Sequence, residues 1–287
     1  MPPVRVVETQ SRLRLVVAVH PEARPLVDRY RLRRDSDSRF PVYDGELELD
    51  DTRHAVSLIV SGVGKAAAAA ATGYLAASRP AAMAVWLNVG IAGHRDQSIG
   101  AAYAVHRIRD AGAQRNFFPS LVGCRMDSRP LTTVDRPERD FDSEELYDME
   151  GSAFYEAALN FSPTELIQCL KIVSDNRLNP ADGLTKESIT GLVSDRLEEL
   201  DALAVDLTRL ARSASAQIHE PAHVESFVNR WHFSRTQRLR LHHLLRRAEL
   251  LLEETLDAEQ FAGRHDSREV LSDLEEMVEA SVLRRAR

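Results

Sequence analysis

The sequence predicts an α/β fold: a mixed, largely parallel central sheet flanked by helices, followed by an all-α C-terminal extension. Short β-branched runs alternate with helical segments over the first two-thirds of the chain, and no strand-like run follows Pro180. Strands that alternate with helices are typical of a parallel sheet covered on both faces. With 287 residues, of which 44% are hydrophobic, the chain is long enough to bury a substantial core.

Five runs are predicted as strands, because each is short and apolar and most end in a polar or glycine-containing turn. They are Leu13–Val19, Ala55–Val60, Met83–Val89, Ile99–Ile108 and Cys169–Val173. Helices are predicted between them at Pro21–Tyr30, Ala66–Leu75 and Glu144–Leu159. Ligands collect at the carboxyl ends of parallel strands, so we expect the functional site among the turns that follow these strands.

The last third of the chain is leucine-rich with helical spacing. One long amphipathic helix is predicted at Leu184–Arg212, and two more at Val224–Leu256 and Ser267–Leu283. A break is predicted at Ser213–Ala216 and Pro221. We therefore expect one domain at residues 1–212 and a helical extension at residues 213–287.

The extension begins with basic residues and continues with acidic ones. Five arginines lie between residues 235 and 247, and Glu249 starts a stretch rich in carboxylates. Opposite charges in this order favour ion pairing in a helical hairpin or a role in oligomerisation. A second hypothesis is that Trp231–Phe233 folds over the site as a lid.

Composition excludes several classes of protein. The net charge of −7 gives no global attraction to nucleic acid or to an anionic membrane, so neither is expected as a partner. Cys124 and Cys169 are too few for a disulfide framework. Residues 1–10 lack the apolar segment of a secretory signal, and a cytoplasmic protein is expected. No metal site is predicted, because the adjacent His242 and His243 point about 100° apart on a helix.

Three acidic residues lie where this architecture concentrates function. Glu22 follows the first strand, Glu150 opens a helix of small residues, and Asp175 ends the last strand. A carboxylate acts as general acid, general base or acceptor for hydroxyl groups, depending on how burial and neighbours tune its pKa. From spacing alone each also has a structural interpretation, as a helix N-terminal acid, a solvated side chain or a turn residue.

Four short motifs, in order, resemble a known family. They are Val60–Lys65, Asn88–Gly93, Tyr147–Ala153 and Val173–Asp175. Their order and separation resemble the nucleoside phosphorylase/nucleosidase superfamily over roughly residues 14–176. The resemblance implies a nucleoside phosphorylase-like fold, a purine nucleoside or 5′-modified adenosine as substrate, no cofactor, and a homo-oligomer.

The resemblance also implies roles for individual residues. Asp175 would protonate or hydrogen-bond N7 of the purine while the glycosidic bond breaks, because the departing base develops negative charge. Glu150 would accept hydrogen bonds from the ribose hydroxyls, with Met149 packed beneath the sugar. Gly90 and Ile91, in the turn after the third strand, are expected on the nucleophile side of the pocket.

Glu22 bears on which nucleophile is used. In the hydrolytic branch of the superfamily, a glutamate four residues after the strand-end alanine activates water, and Ala18 to Glu22 has this spacing. The phosphorolytic branch instead holds phosphate with arginines and a hydroxyl residue, whereas this chain has Ile91 where hydroxyl residues commonly lie in both branches. We favour water and keep phosphate as the alternative. A catalytically weak nucleoside-binding or scaffold protein is a third hypothesis.

Two further features have competing interpretations. Phe118 is predicted to stack on the purine, with a structural aromatic as an equal alternative. The Gly62-Val63-Gly64-Lys65 segment lacks the spacing and the hydroxyl residue of an ATP-binding phosphate loop. It is interpreted as a tight strand-to-helix turn on the ribose side.

Overall fold

The structure is a computed structural model that describes residues 12–49, 52–81, 83–217, 221, 223–252 and 255–285. The chain divides into two compact units between Ala216 and Gln217. None of the described helices is long and apolar enough to cross a membrane.

Ten strands of the larger unit belong to one sheet. They are β1 Arg12–Val17, β2 Arg33–Arg34, β3 Val42–Leu49, β4 Thr52–Val60, β5 Val85–His94, β6 Ala102–Asp110, β7 Arg115–Phe117, β8 Ser128–Thr133, β9 Leu146–Asp148 and β10 Ile167–Asp175. β1 lies between β4 and β5, parallel to both, and β10 is parallel to β5. The mixed sheet confirms the predicted fold class.

One half of the sheet closes on itself. β10 is antiparallel to β6, β8 is parallel to β6, β9 is parallel to β8, and β9 returns antiparallel to β5. These five strands therefore form a closed ring of pairings. The other half stays open and ends in the antiparallel strands β3 and β2.

Helices cover both faces of the sheet. They are α1 His20–Arg29, α2 Lys65–Ser78, α3 Gly151–Ala158, α4 Lys186–Ser194 and α5 Leu197–Gln217. Alternate residues of β1 enter different cores, as the period of two in a strand requires: Leu13 and Leu15 pack in the core that contains α1 and α5, and Val16 in the core that contains α2 and α3.

The five predicted strands and the first two helices are confirmed, but two longer predictions are wrong. The helix expected at Glu144–Leu159 is a short strand, β9, followed by α3, which begins only at Gly151. The helix expected at Leu184–Arg212 is two helices, separated where Arg196 donates from Nε to the carbonyl of Gly100. The predicted break at 213–216 is also wrong, since α5 continues to Gln217.

The smaller unit is helical. It contains α6 Val224–Arg230, α7 Arg235–Leu252 and α8 Ser267–Arg285, so the helix predicted at Val224–Leu256 is interrupted. α7 packs on α8, and Arg240 pairs with Glu275 across them, which confirms the predicted helical hairpin. Trp231 and Phe233 are buried in the core of this unit, and the Trp231 Nε1–H donates to the Arg264 carbonyl. The lid hypothesis is therefore wrong for both aromatic residues.

Candidate active site

A cavity of about 240 Å³ opens beside the carboxyl ends of β1, β5 and β10. Its lining includes five of the predicted site residues, which are Glu22, Ile91, Met149, Glu150 and Asp175. Gly90 lies directly behind Glu22, because a Cβ at Gly90 would lie 2.8 Å from Glu22 Oε1. The fold therefore brings together three carboxylates that are far apart in the sequence.

Glu22 is held by backbone amides. It lies in the first turn of α1 and reaches back so that the N–H groups of Ala18 and Val19 donate to Oε2 at 2.9 and 3.0 Å. The Ile91 N–H donates to Oε1 at 2.9 Å. Burial raises the pKa of Glu22 while these amides and Lys171 oppose the shift. The result is a rigidly oriented carboxylate that is more basic than an exposed glutamate.

A buried lysine lies close to Glu22 and Glu150. Lys171, on β10, is 2.7 Å from Asp148 Oδ2, with the two side chains 2% and 1% exposed. Asp148 also accepts from the Gly151 N–H at 2.8 Å and the Thr133 hydroxyl at 2.7 Å. Nearby carboxylates raise the pKa of Lys171 against the effect of burial, so this ammonium stays charged. We call Glu22, Asp148, Glu150 and Lys171 the lysine end of the site.

Glu150 is the N-cap of α3, and its carboxylate reaches across to the turn after β4. The Gly64 N–H donates to Glu150 Oε1 at 2.7 Å. Burial, followed by the neighbouring charge of Asp148, raises the pKa of Glu150 to about 7. In a buried site with a single ammonium group, ionising all three of these carboxyl groups is energetically unfavourable. One carboxyl group at the lysine end therefore readily stays protonated at neutral pH.

The other side of the cavity contains Asp175 and an aromatic ring. Asp175 Oδ1 accepts from the Ser174 hydroxyl at 2.5 Å. Burial raises the pKa of Asp175. A Cβ at Gly93 would lie 2.8 Å from Asp175 Oδ2 and 2.6 Å from Phe141 Cε1, which places the ring beside the carboxyl. We call Asp175, Ser174 and Phe141 the aromatic end.

The aromatic ring in the cavity is that of Phe141 and not the expected Phe118. Phe118 is 68% exposed and is absent from the described lining of the cavity, so the structure does not bring it to the site. Phe141 is buried and packs edge-to-face on Tyr147, with ring centroids 5.8 Å apart. Arg177 holds its loop by donating to the carbonyls of Asp140 and Phe141.

The charged side chains in the described lining of the cavity are all acidic. Its acidic members are Glu22, Glu138, Asp148, Glu150 and Asp175, and the described lining contains no lysine, arginine or histidine. Arg24, two residues after Glu22 and a possible cation for a phosphate, lines a neighbouring groove instead. Asn88 is buried and donates to the Val16 carbonyl at 3.0 Å, so it ties β5 to β1.

The neighbouring groove is larger and more open, with a volume of about 1220 Å³. It shares Ala18, Val19, Val63 and Ile189 with the cavity, and Phe40 and Pro41 lie further along it. A ligand in the cavity therefore has a largely apolar path on which a substituent can extend.

Sequence reasoning missed three contributors, and for two of them a signal exists. Lys171 interrupts the apolar run Cys169–Val173, and a lysine buried in a strand requires a charged partner. Asp148, two residues before Glu150 in the same motif, is that partner. Phe141 lies in an irregular loop, where no periodicity indicates which side chains turn inward.

Comparisons with known proteins agree with this architecture. No protein-family model matches the sequence, and no curated protein matches it. A 5′-methylthioadenosine/S-adenosylhomocysteine nucleosidase from S. pneumoniae, solved with a transition-state inhibitor, is 18% identical with a TM-score of 0.55, covering 68% of this chain and 99% of its own. The enzyme from Colwellia psychrerythraea 34H in complex with adenine is 20% identical with a TM-score of 0.53, covering 69% and 95%.

A plant structure gives the same result. The 5′-methylthioadenosine nucleosidase from Arabidopsis thaliana is 19% identical with a TM-score of 0.54, covering 70% of this chain and 96% of its own. Identities of this size establish the fold and leave the chemistry to the site itself. Over about 68–70% of its length, the chain therefore has the fold of these nucleosidases.

Proposed function

We propose that the larger unit is an N-glycosidase that cleaves a purine nucleoside or a 5′-modified adenosine by attack of water. The observation that carries this proposal is the convergence of Glu22, Glu150 and Asp175 on one cavity at the strand ends. The sugar occupies the lysine end and the base occupies the aromatic end. Solved structures with the same fold contain adenine or a transition-state inhibitor, which supports a purine nucleoside as the ligand class.

Asp175 supplies the proton for the leaving base. Its raised pKa favours the protonated form, and the Ser174 hydroxyl occupies Oδ1, so Oδ2 faces the purine. The bonding electrons of C1′–N9 pass to the purine while N7 takes the proton from Asp175. A positioned general acid of this kind typically contributes about 10²–10⁴-fold to the rate.

Glu22 acts on the nucleophile. Its carboxylate, fixed by three amides, takes one proton from a water molecule whose oxygen forms the new bond to C1′. The products are the free base and a sugar with a hydroxyl at C1′. Glu22 then releases its proton to solvent, and Asp175 takes up a proton from solvent, which restores both groups. Glu150 accepts hydrogen bonds from the ribose hydroxyls, and Met149 packs under the ring.

The charge of the lining supports water rather than phosphate. A phosphate dianion needs several cationic or N–H donors, and the described lining offers five carboxylates and no basic side chain. Lys171 is committed to Asp148. The apolar path into the neighbouring groove supports a substrate with a substituent at C5′. We propose a homo-oligomer in the cytoplasm as the working form.

Base release from a nucleoside panel tests the proposal. The full chain is incubated with adenosine, inosine, guanosine, 5′-methylthioadenosine and S-adenosylhomocysteine, with and without inorganic phosphate, and free base is measured by chromatography. We expect release without phosphate and a reducing sugar as product. Strict dependence on phosphate would establish a phosphorylase instead. Binding of a nucleoside with no turnover of any would favour the nucleoside-binding or scaffold hypothesis.

A further inference from the structure

The Gly62–Lys65 motif has no step in the reaction above, yet its Gly64 amide binds a carboxylate of the site and its Lys65 side chain is anchored beside that amide. The Gly64 N–H donates to Glu150 Oε1 at 2.7 Å. The next residue, Lys65, places its Nζ 3.0 Å from Asp110 Oδ1 and 2.8 Å from Asp135 Oδ1. The side chain of Lys65 is 23% exposed, and its two partners raise its pKa. A lysine clamped between two carboxylates therefore adjoins the amide that binds Glu150.

These contacts close a ring that returns to Glu150. Asp110 Oδ2 accepts from the Ser152 hydroxyl at 2.9 Å. Ser152 lies in the first turn of α3, whose N-cap is Glu150, and its N–H donates to the Thr133 hydroxyl at 2.9 Å. The path Glu150–Gly64–Lys65–Asp110–Ser152 thus fixes the carboxylate of Glu150 at one end and its backbone at the other.

Gly64 needs this anchoring because its own conformation is unusual. Its φ is +100°, in a region that L side chains rarely adopt, and a Cβ there would meet no described atom within 4 Å. Glycine is therefore required for the backbone angle rather than for space. Such a residue keeps its amide in one orientation only where the surrounding structure fixes it. The Ala68 N–H donates to the Gly64 carbonyl at 3.0 Å, and the ion pairs of Lys65 fix the residue that follows.

We propose that Lys65 is a positioning residue, whose clamp between Asp110 and Asp135 fixes the Gly64 amide so that this amide orients Glu150 toward the ribose hydroxyls. The inference rests on the proposed function, which gives Glu150 that role. With Oε1 occupied by Gly64, Oε2 of Glu150 accepts no hydrogen bond from the described residues. It is therefore the oxygen that faces the sugar.

The ratio of kcat/KM for adenosine to kcat/KM for 2′-deoxyadenosine, called discrimination below, distinguishes a positioning role of Lys65 from a purely structural one. Lys65→Met should lower kcat/KM for adenosine by about 10-fold or more, since small misplacement of a binding group costs up to about 100-fold. The loss for 2′-deoxyadenosine should be several-fold smaller, because that substrate lacks the 2′-hydroxyl, one of the two ribose hydroxyls that Glu150 recognises. Lys65→Arg should retain the discrimination of the wild type.

A double-mutant cycle with Glu150→Gln identifies the residue through which Lys65 acts. If Lys65 works through Glu150, adding Lys65→Met to Glu150→Gln costs nothing further. Asp135 is 66% exposed, so Asp135→Asn weakens the clamp without a folding risk and should reduce discrimination by a smaller factor. Arg115→Met is the matched control, because it breaks an exposed ion pair to Glu156 of α3 and should leave discrimination unchanged.

The positioning role would be overturned if Lys65→Met lowered kcat/KM equally for the two substrates. It would also be overturned if the effects of Lys65→Met and Glu150→Gln on kcat/KM were fully additive. The proposed function fails separately, when the wild type releases no base from any nucleoside of the panel. In that case discrimination is measured for the wild type and the variants as the ratio of the binding affinities for adenosine and 2′-deoxyadenosine, determined by calorimetry. A wild type that does not distinguish the two would then overturn the inference as well.

Discussion

The two ends of the cavity hold the same functional group in opposite ways. At the lysine end, Glu22 and Glu150 accept backbone N–H groups and lie near the ammonium of Lys171. At the aromatic end, Asp175 has one hydroxyl donor and a neighbouring ring. Burial raises the pKa of the carboxyl groups at both ends. At the lysine end, backbone donors and a cation oppose this rise, whereas at the aromatic end only the Ser174 hydroxyl does.

This difference separates the roles of the two ends. The aromatic end suits a proton donor to the leaving base, and the lysine end suits negative charge beside a sugar that becomes cationic in the transition state. Substitutions at the aromatic end should therefore affect the proton or the affinity for the base. Substitutions at the lysine end should affect folding, hydroxyl recognition and the response to pH.

The largest effect is expected for Asp175→Asn. The amide keeps the shape of the side chain but has no acidic proton to give, so kcat for base release should fall by about 10²–10⁴-fold. Release of the base from a nucleoside under single-turnover conditions measures the step directly. An Asp175→Asn protein that retains more than about a tenth of the wild-type rate would refute the assignment of the general acid.

Thermal unfolding is the control for that substitution. Because burial raises the pKa of Asp175, the ionised carboxylate is less favourable in the folded state than in the unfolded state. Asparagine removes this cost, so Asp175→Asn should unfold at the same or a higher temperature at pH 8. Lost activity together with lost stability would instead indicate a damaged fold.

At the lysine end, Lys171→Met should act mainly on stability. It leaves Asp148 buried without its cation, and breaking one partner of a buried ion pair typically costs about 3–5 kcal/mol of unfolding free energy. The double variant Lys171→Met/Asp148→Asn removes the orphaned charge and should recover most of the loss. Denaturant unfolding of the three proteins checks this, and a double variant as unstable as the single one would show that packing, not charge, dominates.

The pH dependence of stability should differ between wild type and Glu150→Gln. The folded state raises the pKa of Glu150 from 4.5 to about 7, so between these values it binds more protons than the unfolded state. Stability from this group is therefore full below about pH 4.5 and is lost as the pH rises toward 7. The pKa of the buried His94 is lowered, which acts in the opposite direction.

The comparison of the two proteins isolates Glu150 from His94. Melting temperatures measured from pH 4.5 to 8 should fall more steeply with pH in the wild type than in Glu150→Gln. Identical slopes in the two proteins would mean that Glu150 titrates as it does in the unfolded chain. That outcome would also show that burial does not raise the proton affinity of Glu150 at the lysine end.

Some parts of the fold and of the candidate site can be predicted from the sequence and others cannot, for physical reasons that differ along the chain. The strands that precede Glu22 and end at Asp175 follow from apolar runs with clear stops, and the ordered motifs place Glu150 with these two residues. The strand at Leu146–Asp148 was predicted as helix, because three residues are too few for a period-two pattern and the following residues have helical spacing. Its pairing with β5 and β8 is a long-range contact, which local propensity does not report.

The smallest effect is expected at the aromatic end, for Phe141→Leu against the matched Phe118→Leu. Aromatic contacts contribute about 0.5–1.5 kcal/mol beyond burial, so losing the ring beside Asp175 should raise KM by about 2–10-fold. Stacking on the base is similar in the ground state and the transition state, so kcat should change little. Phe118→Leu should change neither constant, because Phe118 is exposed outside the cavity. If Phe141→Leu lowers kcat instead, the ring acts on the pKa of Asp175. The main role of Phe141 would then be to exclude water from this carboxyl group rather than to bind the base.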